Sequence, residues 1–193
     1  MIAYKGFSES LWSNLGDRKE ENCQFVPGET KKVSESKTAR SGFHCCENPF
    51  ECLSYYPFDG KNRFFRVEAA GDIDEDEQER IACTEITLLK ELSPVEFALA
   101  GMQYIIEHPL RDGWKTDKYR IKVAQDTAEA GGEGYIAIAR GKDPVVKGPE
   151  GSILGLLFGN DDGEIIAAKL FVCREEQAGK WLTIDGERRV IAK

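Results

Sequence analysis

The sequence predicts an α+β fold: an N-terminal domain with a mainly antiparallel sheet and two short helices, followed by a small all-β domain built as a β-roll or a meander. Three observations carry this expectation. Asn48-Pro49-Phe50-Glu51 and Ser93-Pro94-Val95-Glu96 each read as a capping box that opens a helix. Residues 63–70 alternate, with Phe65, Val67 and Ala69 on one face and Phe64, Arg66 and Glu68 on the other, the pattern of a half-buried strand. Beyond residue 118 the texture changes to short apolar runs separated by glycine-rich turns. The expected domain limits are 1–110 and 119–193, joined by the polar stretch Arg111-Asp112-Gly113-Trp114-Lys115-Thr116-Asp117.

Residues 2–7 read as a first strand, and residues 8–24 as polar and irregular. Pro27-Gly28 sets a turn, and residues 29–40 are too polar to be core. The strand Gly42-Phe43-His44-Cys45 runs into the first helix, which Pro57 must end. Residues 81–92 are β-rich and continue the sheet. The second helix carries Ala98, Met102, Ile105 and Ile106 on one stripe and stops at His108-Pro109. In the C-terminal half, Gly-rich turns recur every eight or nine residues between 124 and 152. Small inward residues with glycine corners suit coils that stack turn on turn; a plain meander is the competing arrangement. Two hairpins close the chain, one around Asn160-Asp161-Asp162-Gly163 and one around Asp185-Gly186.

The chain has 193 residues and a formal net charge of −8. An acidic chain lacks the basic surface that non-specific nucleic-acid binding requires. No apolar run approaches the roughly 18 residues of a membrane span, and the first residues have no apolar core of signal-peptide length. The expected location is therefore cytoplasmic, with the six cysteines reduced. They form no C-x-x-C pair, and no metal or other cofactor is called for. His44 and Cys45 point to opposite faces of a strand. Cys46 shares the face of His44 at roughly 6–7 Å, too far for a thiolate–imidazole bond. Asp72-Ile73-Asp74-Glu75-Asp76-Glu77-Gln78-Glu79 opens like a calcium loop, but Glu77 stands at the sixth position and Cys83 at the twelfth, where glycine and glutamate are needed.

Several motifs occur in order: Tyr4-Lys5-Gly6-Phe7, then Ser41-Gly42-Phe43-His44-Cys45-Cys46-Glu47-Asn48-Pro49, then Tyr55-Tyr56-Pro57. Residues 62–74 (NRFFRVEAAGDID) and 81–93 (IACTEITLLKELS) follow. Together they resemble an uncharacterised domain family of phage and prophage proteins over residues 2–93. The C-terminal half is similar to that family's usual partner segment, through Gly151-Ser152-Ile153-Leu154, Asp161-Asp162-Gly163-Glu164 and the stretch from Trp181 to Gly186, although the Gly/Ala repeats are few here. The resemblance implies a mobile-element origin and a bacterial host cytoplasm, and no reaction.

Two classes of function follow. Residues 1–93 carry 12 basic and 18 acidic side chains, against 14 and 16 in the remainder. The acidic stretch (Asp72, Asp74, Glu75, Asp76, Glu77 and Glu79) would then dock on a basic surface of another protein. A non-enzymatic accessory protein of this kind, acting for example on a host defence factor, is the expected function, and free edge strands would allow a homodimer. The alternative is an ADP-ribosyltransferase-like nucleotide-binding protein or enzyme. That distant likeness rests on Tyr4-Lys5-Gly6 and Gly42-Phe43-His44, with Tyr55 and Tyr56 as stacking aromatics. Its catalytic candidates are His44, Lys5 and Glu68.

Overall fold

A computed structural model describes residues 1–12, 24–38, 40–75 and 80–193. The expected α+β class does not hold: the chain is predominantly β. By internal contacts it divides into two compact units, Met1–Ser93 and Pro94–Lys193. No helix among the described residues is long and apolar enough to cross a membrane.

The first unit is built from β1 (Ile2–Phe7), β2 (Thr30–Lys32), β3 (Phe43–Cys46), β4 (Arg63–Glu75) and β5 (Arg80–Glu91). All of its pairings are antiparallel. β4 pairs with β1 through residues 63–68 and with β5 along almost its whole length. β3 bridges β1 to β5, so the sheet closes into a four-stranded ring, with β2 added on β5. Alternation decides what the ring encloses. Phe65, Val67 and Ala69 of β4 point inward with Ala3 and Phe7, and are joined by Phe25, Phe43, Ile81 and Ile86. Phe7 meets Phe25 and Phe65 with ring centroids 5.0 and 5.7 Å apart, in tilted and edge-to-face contacts.

Neither expected helix gives this unit an α-helix. The first is a 3-10 helix of six residues, Pro49–Ser54. Asn48 caps it by accepting the Phe50 N–H at 3.0 Å, and its bonds run i to i+3, as from Tyr55 N–H to the Cys52 carbonyl. Capping signals mark a 3-10 start as readily as an α start, and Pro57 leaves no room for more turns. The second helix, α1 (Pro94–Glu107), belongs to the second unit. It buries Phe97, Ala98, Gly101, Met102, Tyr104 and Ile105, whereas Ile106, expected on the same stripe, is exposed.

In the second unit β6 (Thr116–Lys118) pairs with β7 (Ile121–Glu129), and β7, β8 (Ile136–Lys147) and β9 (Ile153–Gly159) pair in parallel in that order. Consecutive strands in parallel register normally need a long crossover. Here the connections are residues 130–135 and 148–152, because β7 bends at Asp126 (φ 60°) and β8 bends at residues 141–144, so the chain winds back on itself as a coil. Equivalent positions stack: Ile121 on Ile136 on Ile153, and Ala124 on Ala139 on Leu156. Ala128, Ala137, Val146, Leu154 and Leu182 fill the interior. α1 covers the other face of the same strands, so β9 is buried on both sides and reads as an unbroken apolar run. The close approach falls at Gly155, where a Cβ would lie 2.7 Å from Met102 Sδ and 2.9 Å from Ile138 Cγ1. β10 (Ile165–Val172) returns antiparallel to β9, and the hairpin of β11 (Leu182–Ile184) and β12 (Val190–Ala192) attaches to β8 through Leu182.

Candidate functional site

The strand β1 sorts the candidate residues between two faces. Ala3, Lys5 and Phe7 point into the ring and are 0%, 6% and 0% exposed, while Tyr4 and Gly6 point outward. A lysine inside an apolar ring loses its water, and burial lowers its pKa. Its Nζ donates to the His44 carbonyl at 2.6 Å and lies 5.4 Å from the centre of the Phe7 ring. His44 therefore serves Lys5 through its backbone.

Four buried thiols surround this point: Cys45, Cys46, Cys52 and Cys83. The neighbours Cys45 and Cys46 face opposite sides of β3. Inside the ring, Cys45 donates to the sulfur of Cys83, which raises the Cys45 pKa and lowers that of Cys83. The Cys83 thiol in turn lies 3.4 Å from the Phe43 carbonyl. Outside, under the 3-10 helix, Cys52 bonds to Cys46 and its pKa is raised by that bond and by burial. A buried thiol with a raised pKa is a poor nucleophile. The cluster is closed to solvent, with its four sulfur residues 0–4% exposed. Cys45 and Cys83 join β3 to β5, Cys46 and Cys52 join β3 to the 3-10 helix, and Lys5 joins β1 to β3. Among the described residues no group of three His, Cys, Asp or Glu side chains is placed to hold a metal.

The other candidates lie on the outer face. Tyr4 stands opposite Cys46 across β3 and opposite Arg66 across β4, and His44 shares that face by alternation. Tyr56 packs against Gly6, where a Cβ would come within 2.7 Å of its ring, so the glycine in Tyr4-Lys5-Gly6-Phe7 makes room for that tyrosine. Glu68 is exposed opposite Ile2, and Tyr55 is 57% exposed. Tyr4, His44, Tyr56 and Glu68 are thus brought to one side of the sheet and Lys5 to the other. A nucleotide site combining Tyr4, Lys5 and His44 would have to reach through the strand.

The acidic hairpin has a different arrangement. Asp76, Glu77 and Glu79 lie outside the described residues. Asp74 accepts the Thr38 N–H at 2.6 Å and also the Thr38 hydroxyl, and these bonds hold its pKa below the usual carboxylate range. Its neighbour Asp72 accepts from Ser36 Oγ through its carbonyl at 2.8 Å. Asp74 therefore fastens the segment around residues 36–38 to the hairpin, while Asp72 and Glu75 stay exposed on either side of it. Ile73, between Asp72 and Asp74, is 41% exposed.

The inward lysine and the two thiol pairs were missed from the sequence, although the alternation of residues 2–7 already set Lys5 on the face of Ala3 and Phe7. Which thiol meets which depends on the register of β3 against β5, where Phe43 lies opposite Cys83 and Cys45 opposite Ile81.

Residues 1–100 match a family described as a domain of unknown function (DUF7666), and the chain belongs to that family. No curated protein and no solved structure matches the chain.

Proposed function

We propose that this chain is a non-enzymatic accessory protein, of phage or prophage origin and working in the bacterial cytoplasm, that acts by binding a second protein through the acidic β4–β5 hairpin. The observation that carries this reading is Ile73, 41% exposed beside the exposed carboxylates of Asp72 and Glu75. An aliphatic anchor rimmed by like charges is a recognition surface for an apolar pocket with a basic border. The carboxylates speed encounter and the isoleucine supplies the burial. A host defence factor with a basic groove is the partner class that the phage-like motifs suggest. The reactive groups of the ring, Lys5 and the thiols, are sealed from solvent, which favours binding over catalysis.

The test is capture from bacterial lysate on the immobilised chain, run with Ile73→Asp and with Asp72→Lys/Glu75→Lys. A protein held by the wild type, lost from both variants and released as salt rises would support the reading, once its purified form binds directly. Retention of the same proteins by both variants would sink it.

A further inference from the structure

Among the described residues β10 pairs only with β9 and β12 only with β11, so both are terminal strands and no further layer of described residues caps the coil of the second unit. Between them opens a groove of about 1290 Å³ lined by Leu170, Phe171 and Val172 of β10, by Val190 of β12 and by Arg188 and Arg189 just before it. Phe171, Ile184 and Val190 pack on the coil interior yet remain partly exposed. Stacked coils of this kind need a polar terminal layer to stay soluble, and β10 does not supply one. Its sequence, IIAAKLFV, holds one charge in eight residues, and Ile166 and Val172 are 63% and 46% exposed. An apolar edge strand is a template for another strand.

We infer that the occupant of this edge is a second copy of the chain, whose β10 pairs antiparallel with the first about a two-fold axis, joining the two coils end to end. The strand suits its own copy. Opposite residues in such a pair share a face, so the axis passes midway between one residue and its own copy. Centring on Ala168 sets that small residue against itself, Ala167 against the stem of Lys169, and Ile166, at the bulge, toward Leu170. Centring on Lys169 would set two ammonium groups face to face and is disfavoured. The groove is self-matched in charge as well: its basic side chains, Lys169, Arg174, Arg188 and Arg189, are matched by Glu133, Glu150, Glu175 and Glu176. A two-fold contact presents the same patch twice, and such a balanced patch does not repel itself.

Sedimentation equilibrium of the full chain should give a dimer. Ile166→Lys, at an exposed site that folding does not need, should give a folded monomer at the same concentration. Ala168→Cys should form an interchain disulfide under mild oxidation with oxidised glutathione, because the axis brings the new thiol to its own copy, while Ile166→Cys should not. A monomeric wild type, a dimer that survives Ile166→Lys, or a dimer without the Ala168→Cys cross-link would each overturn the pairing. Loss of the hairpin partner in lysate capture would leave these outcomes unchanged, so the two readings fail separately.

Discussion

The two units handle the edges of their sheets in opposite ways. In the first, β4 is long enough to pair with both β1 and β5, and β3 completes the ring, so four strands close on themselves and only the short β2 is added outside. In the second, parallel stacking adds layers without closing, and among the described residues β10 and β12 are left unpaired on one side. Closure allows the first unit to hold large aromatic residues and even a lysine in its interior, since no edge admits water. Stacking demands small, repeated residues inside, and the second unit uses alanine at positions 124, 128, 137 and 139. The closed unit seals Lys5 and its thiols from solvent, whereas the stacked unit leaves Ile166 and Val172 of β10 exposed.

Phe65 is central to the interior of the closed unit. It is 1% exposed and meets Phe7 edge to face. Phe65→Ala removes a ring that no neighbour can replace, at a cost of about 4 kcal/mol. Hydrogen exchange should show protection lost in residues 1–93 and kept in β7–β9; equal loss in both units would show that they do not unfold separately. Gly155→Ala tests the stacked unit. The added methyl must displace Met102 and Ile138, side chains that can shift in part, so about 1–3 kcal/mol is expected. In a Met102→Ala background the Gly155→Ala penalty, read by denaturant titration as a double-mutant cycle, should be smaller than in the wild type if the crowding against α1 is its cause.

The smallest effect sharpens the contrast between the interiors. Lys5 is buried with its pKa lowered by desolvation, so the unfolded chain binds its proton more tightly than the folded one. The penalty is then complete below the folded pKa and fades as pH rises toward the unfolded value near 10.4. Lys5→Met should therefore stabilise the chain by about 1 kcal/mol at pH 7, and the gain should shrink as pH approaches 10. A gain that stays constant with pH would mean the ammonium is not the source of the penalty.

Some of this was legible in residue order. The alternation of residues 63–70 placed Phe65, Val67 and Ala69 inward, where they are found. The turns at 160–163 and 185–186 joined β9 to β10 and β11 to β12, as glycine-containing turns between apolar runs do. The capping residues located both helix starts, at Pro49 and Pro94. The same signals could not say that the first helix closes as a 3-10 turn, or that α1 packs on β8 and β9 of the coil. For the candidate site, residue order set Lys5 and Tyr4 on opposite faces of one strand, but not which face was sealed.

What the sequence determined by itself is therefore local: strand periodicity, turn chemistry, helix starts and the acidic stretch, each fixed by a few adjacent residues through backbone sterics and short-range hydrogen bonds. The tertiary structure alone decided the closure of β1, β3, β4 and β5 into a ring, the pairing of Cys45 with Cys83, the engagement of Asp74 by Thr38 and the parallel stacking of β7, β8 and β9. Each of these joins residues far apart in the chain. The free energy that selects one register over another comes from how whole faces pack once the strands meet, a quantity that no short window of residues contains.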